Sequence, residues 1–361
     1  MEYVNNHIHT TYSFSPYTPS EAVRLAREAG LAVAGIVDHD SVGGCEEFIA
    51  AGAALGMPVT IGFELRVSMR DTPFHGKTIN NPDQRSVAYV AAHGIPRQKI
   101  ADCERFLAPY RARRNIRNEE MTEWLNVFLP EHLRLDFQKD ILPLSRHEDG
   151  GGVTERHILC GLSHKIINTY GKGAPVIVLA QERLGIPVAG KLMGYLLDPG
   201  NPHYLYDLIG VLKSGLVEKF YVDAAGECPD VKEFLGFASE IGAISAYAYL
   251  GDVTESVTGD KKPQEFEDDY LDELFAWLKQ AGFRAVTYMP SRNTMAQLRR
   301  VMALCEAYGL FQISGEDINS PRQAFICPAL ARPEFAHLNQ AAWALVEATM
   351  RGTGYRTQEP G

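Results

Sequence analysis

The chain of 361 residues lacks most features of a secreted, membrane or duplex-binding protein. Its six cysteines, at positions 45, 103, 160, 228, 305 and 327, are widely scattered, and no Cys-x-x-Cys occurs. That usage points to reduced thiols in a cytoplasmic protein. No apolar run approaches the roughly 18 residues of a membrane span. The opening Met-Glu-Tyr-Val-Asn-Asn has neither a basic nor an apolar region, so no secretory leader is expected. Lys and Arg number 35 against 45 Asp and Glu, a net charge of −10. Duplex binding rests on neutralising phosphates, so this balance argues against it, though not against a nucleotide as substrate. There is no Walker loop, no Gly-x-Gly-x-x-Gly after a strand and no Gly-x-Ser-x-Gly elbow. The expected partner is therefore a small molecule, with no duplex nucleic acid and no membrane. A homo-oligomer remains open.

What is present is an alternation of apolar runs and amphipathic stretches. Strands are expected over 3–9, 33–37, 58–67 and 86–92. The first is followed by Thr18-Pro19-Ser20-Glu21, a capping box with proline at the first helical position. Gly30 and Gly56 mark helix ends. The alternation then breaks. Residues 97–213 read as mainly helical, with helices over 97–126, 154–170, 174–184 and 204–212 and a flexible Gly-rich linker at 148–152. Alternation resumes with strands over 219–223, 243–249, 285–289 and 311–319, helices between them, and a charged loop over 252–269. A last helix covers 338–350. Seven or eight strands, mostly followed by helices, describe an α/β protein: a β/α barrel from 1–96 and 214–328, a helical insertion over 97–213 capping its mouth, and a C-terminal helix and tail over 329–361.

The strand ends carry the chemistry. His7-Ile8-His9 places two imidazoles on one side of an extended segment, because strand side chains alternate with period two. Asp38-His39-Asp40, Glu64, His93 and Asp317 end other strands, and in a barrel such ends converge on one face. Imidazoles with carboxylates suit one or two divalent ions, Mn, Fe or Zn, with Glu64 able to bridge. His39 or Asp40 is a candidate to orient water or protonate a leaving group. For phosphate oxygens the candidates are Arg292, just past a strand, and Arg156 at a helix start. Arg111, Arg113, Arg114 and Arg117 read as a solvated helix face or, alternatively, a substrate funnel.

His7-Ile8-His9-Thr10-Thr11-Tyr12-Ser13, Ile36-Val37-Asp38-His39-Asp40-Ser41, Met289-Pro290-Ser291-Arg292-Asn293-Thr294 and Ser314-Gly315-Glu316-Asp317-Ile318-Asn319, with Glu155-Arg156-His157-Ile158 in the insertion, resemble the PHP (polymerase and histidinol phosphatase) superfamily, in particular its stand-alone bacterial phosphoesterases. The resemblance covers roughly residues 3–325. It implies a distorted (β/α)7 barrel, up to three divalent metals, and phosphate-ester hydrolysis by metal-activated water. It also implies ligands at positions where this chain has Phe14, Tyr247 and Asn319. The residues at 14 and 319 would share one ion with His39, so that ion is not expected. His75 lies at the family distance beyond Glu64 and is the alternative to His93. The leading expectation is a metal-dependent phosphoesterase acting on a small phosphate monoester or nucleotide. The alternatives are an amidohydrolase-like C–N or ester hydrolase and a catalytically degenerate metal- or ligand-binding module.

Overall fold

A computed structural model of the chain describes residues 2–253 and 264–351. Its sheet contains β1 (Tyr3–Ile8), β2 (Leu31–His39), β3 (Val59–Ser68), β4 (Val87–His93), β5 (Ile244–Ala248), β6 (Ala285–Tyr288), β7 (Phe311–Ser314) and β8 (Asp317–Ile318). The strands lie in the order β7-β6-β5-β4-β3-β2-β1-β8. The two outermost strands, β7 and β8, are separated in the chain only by Gly315 and Glu316, so the sheet curls round on itself. This is the β/α barrel expected from the strand pattern, in the distorted form that the family resemblance implies. All pairs are parallel except those of β4, which runs antiparallel to both β3 and β5. An antiparallel neighbour needs no crossover helix, and β3 reaches β4 through the loop 69–86.

The outer layer contains α1 (Pro19–Ala29) and α2 (Cys45–Leu55) early in the chain. The capping box forms as the spacing predicts: Thr18 and Glu21 bond each other's backbone N–H, and the helix stops at Gly30, whose φ is 90°. The helical block follows, with α3 (Ile100–Phe128), α4 (Glu155–Tyr170), α5 (Ala174–Val178), α6 (Gly190–Leu197) and α7 (Tyr204–Phe220). It has its own core, in which Met121, Leu125, Ile158, Leu162, Leu208, Leu212 and Phe220 meet. The outer layer resumes with α8 (Val231–Ile241), α9 (Leu271–Ala281) and α10 (Met295–Tyr308). The last helix, α11 (Ala336–Thr349), packs across the inner face of the sheet: Leu345 meets Ala246, Ala285 and Ile313, and Val346 meets Val4 and Val33. Thr349 also accepts the Ile61 N–H at 3.3 Å. An apolar plug in the barrel interior leaves the polar strand ends as the face available for chemistry.

Three expectations are corrected. Residues 219–223 form no strand: α7 runs on to Phe220, which is buried in the insertion core, and the sheet resumes only at Ile244. The Gly-rich stretch is not a loose linker. Gly151 and Gly152 are buried, Gly152 donates to the Tyr12 carbonyl at 2.7 Å, and a Cβ on Gly152 would lie 2.8 Å from the His39 carbonyl. Those glycines permit close approach of insertion and barrel. The basic run on α3 is not a solvated face either, since Arg111, Arg114 and Arg117 are buried. Part of the charged loop (254–263) and of the tail (352–361) lies outside the described residues.

Tyr247 faces outward. Ala246 beside it meets α11 inside the barrel, whereas Tyr247 packs edge-on against Phe283 in the outer core. Its hydroxyl reaches Glu267 Oε1 at 3.3 Å, an oxygen that also accepts from the Leu250 N–H at 2.8 Å. Burial raises the Glu267 carboxyl from its ordinary value to about 8, more than the backbone donors at Leu250 and Gly251 lower it. Its other oxygen has no partner, as suits a neutral acid. A pKa raised by folding contributes stability that is complete below the unfolded value and is lost as pH climbs through the folded one. Glu267→Gln is therefore expected to melt near wild type at pH 5 and a few kcal/mol more stably above pH 8. Melting curves across that range check it; a gap that does not vary with pH would show Glu267 to be charged in the fold.

Candidate metal centre

The end of β1 forms the centre of the site. His7 and His9 project to the same side, and their Nε2 atoms lie 3.2 Å apart. Glu64, near the end of β3, brings Oε1 to 3.5 Å from His7 Nε2 and 3.2 Å from His9 Nε2. All three residues are buried, and their donor atoms lie within 4.8 Å of one another. Strand register supplies two more. His39 faces Glu64 across β2 and β3, with Nδ1 3.0 Å from the same oxygen. Asp317 faces His7 across β8 and β1, with Oδ1 3.3 Å from His9 Nε2.

The donor set fits a divalent cation. Asp317 Oδ1 is buried and takes no hydrogen bond, and two imidazole nitrogens converge on one carboxylate oxygen. The tautomer of His9 is fixed from behind. Ser13 Oγ donates to Asp38 Oδ1 at 2.6 Å, so at 3.1 Å it accepts from His9 Nδ1–H. Nε2 is then the nitrogen turned toward Glu64 and Asp317. Asp38 also takes the Thr10 N–H at 2.7 Å and the Thr10 hydroxyl at 2.6 Å, which pins the turn after β1. Ser13 closes the opening motif, but nothing in the sequence assigned it a role beyond its spacing of four residues from His9.

The electrostatics favour a positive charge at this point. Burial lowers the His9 imidazole, but Asp317, Glu64 and Asp38 outweigh it and lift the group to about 9. Burial alone would raise Glu64, but the His39 and His7 rings hold it well below the usual carboxylate range. For His93 the support of Glu64 is too small. Burial and the His7 ring push it down to about 3.

The remaining candidates scatter. His93 ends β4, but β4 is antiparallel, so its end points away from the mouth. His93 faces Gly62, one pleat below Glu64, and its ring centre lies 6.5 Å from that of His7. His75 is exposed in the turn-rich loop between β3 and β4, outside the cluster. Asp40 adopts a φ of 49°, held by its N–H to the Glu64 carbonyl at 2.8 Å, and its carboxylate pairs with Arg114. It is tied to the insertion and is not available as a base. Arg156 donates to Asn319 Oδ1 at 2.9 Å, and Asn319 Nδ2 donates to Asp317 Oδ2 at 2.7 Å. A guanidinium thus stands beside Asp317. Phe14 leaves the barrel and packs edge-on to His157 at 4.9 Å in the insertion core. Arg292 donates from Nε to the Leu250 carbonyl at 3.2 Å, and Glu316 accepts from Ser291 instead of reaching the cluster.

A curled mixed sheet with a helical insertion and a His-His-Glu cluster at its mouth defines a β/α barrel with a candidate metal site. The chain belongs to the PHP domain family, which it matches over residues 5–186. Two solved structures are similar along nearly the whole chain. One is a protein from Bifidobacterium adolescentis, provisionally assigned as a metal-dependent phosphoesterase: 18% identity, TM-score 0.63, 98% of this chain and 99% of that one. The other is an amidohydrolase from Chromobacterium violaceum, solved with sulfate and no metal: 17% identity, TM-score 0.57, 94% and 96%. No curated protein matches the sequence. The family and the cluster support a metal-dependent hydrolase in the general sense. Among the described residues, no helix is long and apolar enough to cross a membrane.

The Ser13–Asp38 pair is expected to govern metal affinity without contacting the ion. Ser13→Ala or Asp38→Asn should weaken binding about 10- to 100-fold. Chelator competition measures it; unchanged affinity in both variants would show that His9 is oriented by something else.

Proposed function

We propose that the protein is a metal-dependent phosphoesterase that hydrolyses a small phosphate monoester or nucleotide, with His7, His9, Glu64 and Asp317 holding one divalent ion. The observation that carries this reading is the convergence of two imidazoles and an unpartnered carboxylate oxygen on one buried point. His39 stands at the rim, and its side chain, 27% exposed, is the most open of the cluster's histidines. A second ion on Glu64 and His39 is compatible with that geometry. When bound, a divalent ion supplies Lewis acidity and activates water near neutral pH.

The chain's own residues do the rest. Glu64 stays ionised between the rings and fixes their orientation. His39 exchanges a proton at the site's open edge, a role that Asp40, paired with Arg114, cannot share. Arg156 is held against Asn319 and offers a fixed positive charge beside Asp317, where the resemblance implies a third ion. It stabilises phosphoryl charge there. Arg292 is the second candidate for that work, placed by the Leu250 carbonyl.

Purified protein is expected to carry Mn, Fe or Zn and to release phosphate from small monoesters. His9→Ala and Asp317→Asn should lower both metal content and kcat/KM at least 100-fold, and Arg156→Met should lower kcat/KM about 10- to 1,000-fold with metal content unchanged. A panel of phosphomonoesters, lactones and amides, assayed before and after EDTA, checks the class. Full activity after stripping sinks the reading, and turnover confined to amides or lactones replaces it with the amidohydrolase alternative.

A further inference from the structure

The arginines expected on a solvated face instead enclose a single carboxylate. Arg114 and Arg117, one turn apart on α3, meet Arg66 of β3 around Glu227. Glu227 Oε1 takes Arg66 and Arg114, the latter through Nε at 3.3 Å, and Oε2 takes Arg117 Nε at 2.6 Å. Arg66 also donates to the Tyr221 hydroxyl at 3.2 Å, and Arg117 to the Val222 carbonyl at 2.7 Å. All three arginines are more than nine-tenths buried, yet Arg66 Nε has no partner. This cluster adjoins the metal centre. Arg66 is two residues beyond Glu64 on one strand, so the two side chains share a face about 7 Å apart. Arg66 faces Tyr89 across β3 and β4, and the Tyr89 ring lies 6.0 Å from that of His39.

The donors outnumber what Glu227 uses. Three guanidiniums pair directly with two carboxylates, Glu227 and Asp40, and Asp83 lies close enough to act on Arg66 and Arg117. Arg111, beside them, is matched by Glu104. Exchange of Glu227 for a dianion would set one more negative charge among the three guanidiniums. A phosphate also has more acceptor oxygens than a carboxylate, enough to include the free Arg66 Nε–H. Glu227 itself belongs to no helix or strand, in the irregular stretch between α7 and α8.

We propose that Arg66, Arg114 and Arg117 form an oxyanion subsite beside the metal centre, which Glu227 fills in this structure and a phosphate dianion takes when Glu227 swings out. Its natural occupant is a second anionic group of the substrate, an assignment that rests on the phosphoesterase reading. The subsite itself does not.

Titration of the EDTA-treated, full-length protein with inorganic phosphate at constant ionic strength tests it. Glu227→Gln is expected to bind phosphate at least about tenfold more tightly than wild type, because the resident competitor loses its charge. Adding Arg66→Met or Arg117→Met to that variant should remove the gain, and adding His9→Ala should leave it. If Glu227→Gln does not fold, Glu227→Asp, which withdraws the carboxylate by one methylene, should show the same direction. Phosphate binding unchanged by either Glu227 variant, or a gain that survives loss of both arginines, overturns the proposal and leaves the cluster as a structural ion-pair network. No turnover enters the measurement, so failure of the phosphoesterase reading would leave its result intact.

Discussion

Glu64 is the point on which the site depends. One of its carboxylate oxygens lies within 3.5 Å of imidazole nitrogens from His7, His9 and His39, and the side chain is only 9% exposed. A buried carboxylate is costly unless it is paired, so the surrounding rings are what allow it to stay ionised there. The pairing in turn requires β1, β2 and β3 to lie side by side in one register, with β8 adding Asp317 from the other flank. α11 holds that arrangement from inside by filling the barrel with Leu345 and Val346. Glycine at 62 permits close passage of β4, since a Cβ there would lie 2.5 Å from the Ala92 carbonyl.

The insertion is joined to this centre by short, buried contacts. Phe14 extends from the barrel into its core, Gly152 passes under His39, and Asp40 holds Arg114. On the far side Arg322, beyond β8, makes a bidentate pair with Asp207 of α7 at 2.6 and 2.7 Å and lies over the Tyr195 ring. Phe14 and Asn319 therefore have positive roles. The first packs into the insertion core, and the second links Arg156 to Asp317. Their side chains supply packing and an amide bridge where the family resemblance implies metal ligands, and a guanidinium provides charge at that edge.

Much of the arrangement was legible in the chain. Period-two spacing put His7 and His9 on one side, strand ends placed His39, Glu64 and Asp317 together, and Thr18 to Glu21 marked a helix start that forms with its full capping box. Strand direction was not legible. An apolar run reads the same in either sense, so the antiparallel course of β4 was hidden, and with it the descent of His93 to the level of Gly62. Nor could burial of the α3 arginines be read, because their partners Asp40 and Glu227 lie far away in sequence. A run of charged residues on one helix looks solvated until the opposing charges are found.

The sequence by itself determined the chemistry available: imidazoles and carboxylates at strand ends, one arginine past a strand and another at a helix start, and no machinery for phosphate loops or nucleophilic serine. Local spacing was enough for that, since side-chain alternation and capping act over a few residues. Tertiary structure alone decided which of those groups meet. Pairing across strands selected His7, His9 and Glu64 and left His75 in solvent, and the docking of α3 turned a basic helix face into a buried cluster around Glu227. Long-range register and charge pairing set these outcomes, and neither is written in the period of any one segment.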